Sequence, residues 1–203
     1  MNAHFTLKAG IAATIAAFGM ALPAHAQKAA TDTTATTAPG NAGMKGSRPL
    51  ASGAAVDKGS IKFMEKAAAG GMAEVELGKL AQERAANAQV KEFGARMATD
   101  HAKANEELRP IADAKHVALP GGPDKKQQRA YKKLAKLSGA EFDKAYTRHM
   151  LDDHKKDVKE FQKEANSGKD GDVRNFAAKT LPTLEEHLRL AQSAYDAVHG
   201  GKK

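Results

Sequence analysis

Apolar side chains recur about every 3.6 residues from Ile61 almost to Val198. That period places them on one face of a helix and puts no comparable set on one face of a strand. Four long segments carry it. The first runs from about Ser60 to Ala86, and the second follows Asn87, a helix N-cap residue, to about Lys115. The third opens at Ser138-Gly139-Ala140-Glu141, where serine and glutamate have capping-box spacing, and ends near Asn166-Ser167-Gly168. The fourth starts after Asp170 and reaches about Val198, with Pro182 inside it, which is expected to kink it. Between the second and third segments, VALPGGP ends a helix and permits a turn, and Asp124 to Leu137 reads as a short basic helix.

An internal similarity orders these segments. VKEFGARM from Val90 aligns with VRNFAAKT from Val173, and three residues before each stands a cap, Asn87 or Asp170. A competing match, MATDH at Met97 against MLDDH at Met150, relates the second segment to the third, but its caps and apolar positions do not agree. The first match predicts two helical hairpins joined by a long crossover. The expected fold is therefore all-α: a ferritin-like four-helix bundle whose crossover carries a short extra helix.

The N-terminus speaks to compartment. Met1 to Ala26 holds Lys8, an apolar run from about Ala9 to Leu22, and Ala24-His25-Ala26. This is the pattern of a secretory signal peptide cleaved before Gln27, and the run is shorter than the roughly 20 residues that span a bilayer. Residues 27–56 are rich in Ala, Thr, Gly and Pro and read as a disordered tether. The bundle domain is expected over 57–199, with a basic tail at 200–203. No later segment is long and apolar enough to span, so the mature chain is expected in the periplasm without a transmembrane helix.

The chain has no cysteine, which excludes disulfides, thiolate metal sites, a cysteine nucleophile and a lipidated N-terminal cysteine. Its formal charge of +8 falls to +7 without Lys8. No nucleic-acid partner is expected. The basic run KKQQRAYKKLAK from Lys125 reads as a solvated helix face, with weak contact to anionic envelope surfaces as its alternative.

Helical wheels bring one ligating side chain inward from each long segment. The first has an apolar stripe of Ile61, Met64, Ala67, Ala68, Gly71, Val75, Gly78 and Ala81, with Glu74 inside it and Glu76 on the polar side. On the second, His101 sits among Val90, Phe93, Met97, Ala104, Leu108 and Ile111, with Asp100 at the edge. On the third, His154 lies among Phe142, Tyr146, Met150, Val158 and Phe161, with Asp143 and Asp157 close beside it. On the fourth, His187 shares a sector with Val173, Phe176, Leu184, Ala191 and Ala194. Counting from the hairpin turns puts Glu74 and His101 at one depth. The same count puts His154 and His187 about one helical turn, roughly 5 Å, out of level.

One carboxylate and three neutral imidazoles suit Zn, Fe, Mn or Cu, with Asp100 or Asp157 accepting an imidazole N–H from behind. The alternative is a buried hydrogen-bond network that fixes helix register. Di-iron chemistry is disfavoured, because Glu-x-x-His is absent: Ala98, Leu151 and Leu184 stand three residues before the histidines. Met64, Met72, Met97 and Met150 hint at copper but have the spacing of core filler. No nucleophile elbow, zincin motif or phosphate loop is present.

AAAGGMAEVELGKLA from Ala67, VKEFGARMATDHAKAN from Val90, LSGAEFDKAY from Leu137, the His154 segment and LPTLEEHL from Leu181 together resemble the bacterial family catalogued as domain of unknown function 4142. The resemblance spans about Ile61 to Ala194. It implies a secreted, ferritin-like helical bundle, sometimes labelled an outer-membrane protein, and it draws attention to Glu74, His101, His154 and His187 without supplying a reaction. The outer-membrane label conflicts with the residues, which offer no alternating barrel strands. The leading expectation is an exported bundle that binds a metal ion or small ligand in envelope homeostasis. A non-catalytic envelope scaffold is the alternative, and a metal-dependent oxidoreductase stands third.

Overall fold

The computed structural model describes residues 56–200, so the expected signal peptide, nearly all of the tether and the end of the basic tail lie outside the described residues. The described chain is helical: α1 (Lys58–Arg84), α2 (Ala88–Ala114), α3 (Lys125–Leu134), α4 (Gly139–Ser167) and α5 (Gly171–His199). No helix among the described residues is long and apolar enough to cross a membrane.

The starts at Asn87 and Asp170 follow the expected chemistry, and Asp57 caps α1 in the same way, so that this helix begins two residues ahead of the expected start near Ser60. The carboxylate or amide of Asp57, Asn87 and Asp170 accepts from backbone N–H groups of the first turn of α1, α2 and α5. The expected capping box at Ser138 and Glu141 does not form, since Ser138 makes no side-chain cap hydrogen bond. Gly139 explains this: its φ of +61° puts a left-handed residue at the first helical position, which turns the opening amides away from the serine hydroxyl. A capping box forms instead at Asp124 and Gln127, where α3 begins. The end of α2 closes as a Schellman motif. Val117 N–H bonds to Ala112 O at 2.9 Å and His116 N–H to Asp113 O at 3.0 Å, with His116 left-handed at φ 54° in the position glycine usually takes.

Helix directions can be read from contacts at the two ends. Ala86 and Asn87, after α1, donate to Asp143 at the start of α4, while Ser60 at the start of α1 bonds Glu164 near the end of α4. Gln89 at the start of α2 reaches Ser193 near the end of α5, and Lys115 after α2 bridges Asp170 and Asp172 at the start of α5. α1 is thus antiparallel to α4, and α2 to α5. The hairpins α1–α2 and α4–α5 are joined by a crossover that runs the length of the bundle, with α3 lying against α1 and α4.

Small residues set how closely α1 and α2 approach. A Cβ at Gly78 would collide with the Gly94 carbonyl oxygen and lie 2.8 Å from Ala98 N, and one at Gly94 would lie 2.6 Å from Ala81 Cβ. The buried face of α1 differs from the expected stripe. Phe63, Ala73, Leu77 and Leu80 are buried, whereas Ile61, Ala67 and Val75 are only partly so. The reason is that α1 packs on α2 and α4 and is also covered by α3, so its buried sector is broader than one stripe and rotated toward α4. Val158 of α4, also expected inside, is half-buried.

The interior is layered. Toward the α1–α2 turn, Leu77, Leu80, Phe93, Met97, Phe142, Tyr146, Met150 and Ala191 belong to one apolar cluster. Toward the other end, Phe63, Met64, Leu108, Val173 and Phe176 belong to a second. Glu74, His101, His154 and His187 occupy the positions between the two clusters on their respective helices, and all four are buried.

Candidate metal centre

The three imidazoles meet. Ring centroids of His101 and His187 are 5.2 Å apart, those of His154 and His187 5.4 Å, and those of His101 and His154 5.7 Å. One ligating nitrogen from each lies within 4.8 Å of the others, and among the described residues these three form the group able to share an ion. The expected offset between His154 and His187 is not observed. Side chains lean toward the N-terminus of their helix, so His154 leans away from the α4–α5 turn and His187 toward it, which closes a difference of about one turn.

Glu74 is buried in the same layer. The contacts of Gly71 with Asn105 and of Gly78 with Ala98 bracket Glu74 and His101 at one level, as the count from the turn predicts. Its carboxyl nevertheless falls outside the group of three mutually close ligating atoms. Tyr146, read in the sequence only as core, lies near it, and both its hydroxyl and Glu74 Oε2 are buried without a hydrogen-bond partner.

The protons on two of the rings are assigned by their partners. His154 donates from Nδ1 to the Met150 carbonyl at 3.0 Å, which leaves Nε2 as the bare nitrogen. His187 donates from Nε2 to Asp100 Oδ2 at 2.9 Å, leaving Nδ1 bare. Both bare nitrogens, and Nε2 of His101, are buried and have no partner. Asp100 is itself held by Arg96 on the outer side. An imidazole whose far N–H is fixed by a carboxylate or carbonyl is the arrangement that orients a metal ligand.

Electrostatics keep the rings neutral. Burial, with the neighbouring imidazoles His154 and His187, drives His101 well below the ordinary histidine value. Burial and the proximity of His187 push His154 down to about 4. Burial also lowers His187, and the bond to Asp100 only partly opposes it. Burial alone would raise Asp100, but hydrogen bonds from Arg96 and His187 outweigh it and leave the carboxylate below its usual range. Burial, then Asp157 and Asp153, hold Glu74 well above the usual carboxyl value. The layer is thus poor in charge and rich in unshared lone pairs.

Two nearby acids do other work. Asp157 is half-buried and bonds none of the three rings; burial and the charges of Asp153 and Glu160 raise it to about 7. The Met150 carbonyl takes the place behind His154 that Asp157 was expected to fill. Asp143 is buried on the same inward sector of α4 as His154, as its place on the wheel predicts, but eleven residues nearer the start of the helix. It lies at the opposite end of the apolar cluster, where it accepts from Ala86 N–H at 3.1 Å and Asn87 N–H at 2.9 Å. That tie between the α1–α2 turn and α4 joins residues far apart in the chain, and no local motif signals it.

Residues 45–194 match the family model described as a domain of unknown function, DUF4142. The chain belongs to this family. The match takes in all of α1, α2, α3 and α4 and most of α5, so every histidine of the DUF4142 layer lies within it. No curated protein and no solved structure matches the chain.

Proposed function

We propose that this domain is an exported, ferritin-like bundle that binds a single transition-metal ion through His101, His154 and His187 in the bacterial envelope. The observation that carries the reading is that three buried histidines meet in one layer, a ring nitrogen of each within 4.8 Å of the others, and that each ring keeps a buried nitrogen without a hydrogen-bond partner. Ligands 2.0–2.1 Å from a common ion lie at most about 4.2 Å apart. The rings would therefore close by a few tenths of an ångström on loading. Zn and Cu fit an all-nitrogen donor set best, Fe follows, and Mn, which prefers oxygen, fits least. Asp100 would orient His187. Glu74 shares the level of the histidines, but its carboxyl stands outside the three-histidine group and burial favours its neutral form, so the three imidazoles are the ligands. The single long crossover supports the ferritin-like description, and Ala24-His25-Ala26 supports export to the periplasm.

A purely structural polar network accounts for the layer less well. A network stabilises when its members satisfy one another, yet Glu74 Oε2, Tyr146 OH and three ring nitrogens are unpartnered. Elemental analysis of untagged protein purified from the periplasm tests the proposal, with thermal melts in chelator and then in Zn, Cu, Fe or Mn. A bound ion near one per chain, and a melting temperature raised by one of these metals in wild type but not in His101→Ala or His154→Ala, is expected. Protein that carries no metal and is indifferent to all four ions would overturn it in favour of a non-catalytic envelope scaffold.

A further inference from the structure

The histidine layer is not sealed. Between α2 and α5 a cleft of about 270 Å³ is lined by His101, His187, Leu184, Arg96, Lys103 and Lys179, among others. Its lining runs from buried to exposed: His101, Leu184 and His187 are buried, whereas Arg96, Lys103 and Lys179 are exposed. The imidazoles therefore stand at its deep end and the cations at its mouth. His154 does not line it.

Resting on the metal reading, we infer that this cleft admits a small anion, of the size of azide, carbonate or a short carboxylate, to an open coordination position on the ion. Three features point to that chemistry. Three neutral imidazoles leave a divalent ion with its full charge and, in a four-coordinate site, one position free. The two carboxylates lining the cleft are already engaged, Asp100 by Arg96 and His187 and Glu107 by Lys179, while Lys103 has no ion-pair partner among the described residues. The volume falls below the range of about 300–1,000 Å³ typical of drug-sized ligands, so the cleft suits a ligand of a few atoms.

Cobalt(II) loaded into the full exported chain gives a visible spectrum sensitive to its ligands, and azide is the probe. Saturable change of the cobalt bands on azide addition is expected. In Lys103→Glu, cobalt stoichiometry should be unchanged and the apparent azide affinity severalfold weaker, with the difference shrinking as salt is raised. Thr183 of α5 also lines the cleft, and in Thr183→Phe, where the ring fills it, azide should bind at least tenfold more weakly at unchanged cobalt content. Failure of wild type to take up cobalt overturns the metal reading and this inference with it. Cobalt that binds but is spectrally indifferent to azide overturns the inference alone, as does azide binding that neither variant alters.

Discussion

On either side of the histidine layer the interior is apolar and shared among several helices, as where Phe93 of α2 meets Tyr146 of α4, or Phe63 of α1 meets Phe161 of α4, edge-on. The layer itself holds ionisable groups that burial has stripped of charge, with ring nitrogens left unshared. Burying apolar area stabilises a fold, whereas burying a polar atom without a partner costs about 1–3 kcal/mol. The apolar ends hold the bundle together, and the layer between them is retained against that tendency. Such a position, cheap to fill with leucine, is where a functional demand is most legible in a helical bundle.

Substitutions can break or sharpen this contrast. The largest effect belongs to the apolar side: Phe142, fully buried, should lose about 3–5 kcal/mol of stability on Phe142→Ala in urea denaturation of metal-free protein. A change below about 1 kcal/mol would show that this end of the bundle does not carry the fold.

Acid should act on the interior in two opposed directions: protonating His154 costs stability, whereas Asp157, raised to about 7, takes up its proton more readily in the folded chain and gains stability over the same window. His154 titrates near 4 when folded and near 6.5 when unfolded, so the unfolded chain binds the extra proton between those values. Its contribution is fully present above about 6.5 and falls by about 3 kcal/mol as the pH drops to about 4. The difference in pH slope between wild type and His154→Leu, from urea denaturation of the metal-free chains across that window, isolates it, because Asp157 contributes to both alike. An equally steep slope in the variant would assign acid sensitivity elsewhere.

Next comes the seam between α1 and α2. Gly78→Ala sets a methyl group against the Gly94 carbonyl and the Ala98 amide, which are backbone atoms unable to swing aside. A loss of about 1–3 kcal/mol, seen as a lower melting temperature, is expected. The smallest effect should be His154→Leu without metal at neutral pH. A side chain of similar size removes an unpartnered nitrogen, so stability should change by less than about 1.5 kcal/mol, while metal-dependent stabilisation disappears. A large loss without metal would mean that the histidine is structural after all.

Much of this arrangement is readable from local chemistry. Asn87 and Asp170 announce their helices because an N-cap needs only its own side chain and the next few amides. The inward histidines are found by angle alone. Ser138 misleads because the conformation of Gly139, which decides the matter, is set by how the crossover arrives and not by the tetrapeptide. The level of His187 is misjudged when residues are counted as points on an axis, since side chains lean along it. Asp143 is out of reach for another reason: its partners at Ala86 and Asn87 are 57 and 56 residues away.

The alternation of helix directions has a mechanical consequence. α1 starts at one pole of the bundle and α5 finishes at the opposite pole, about 43 Å away for a helix of 29 residues. A pull applied between Val56 and Gly200 would load both helices lengthwise. They would have to slide past α2 and α4 with whole rows of side chains yielding together, instead of peeling off one turn at a time.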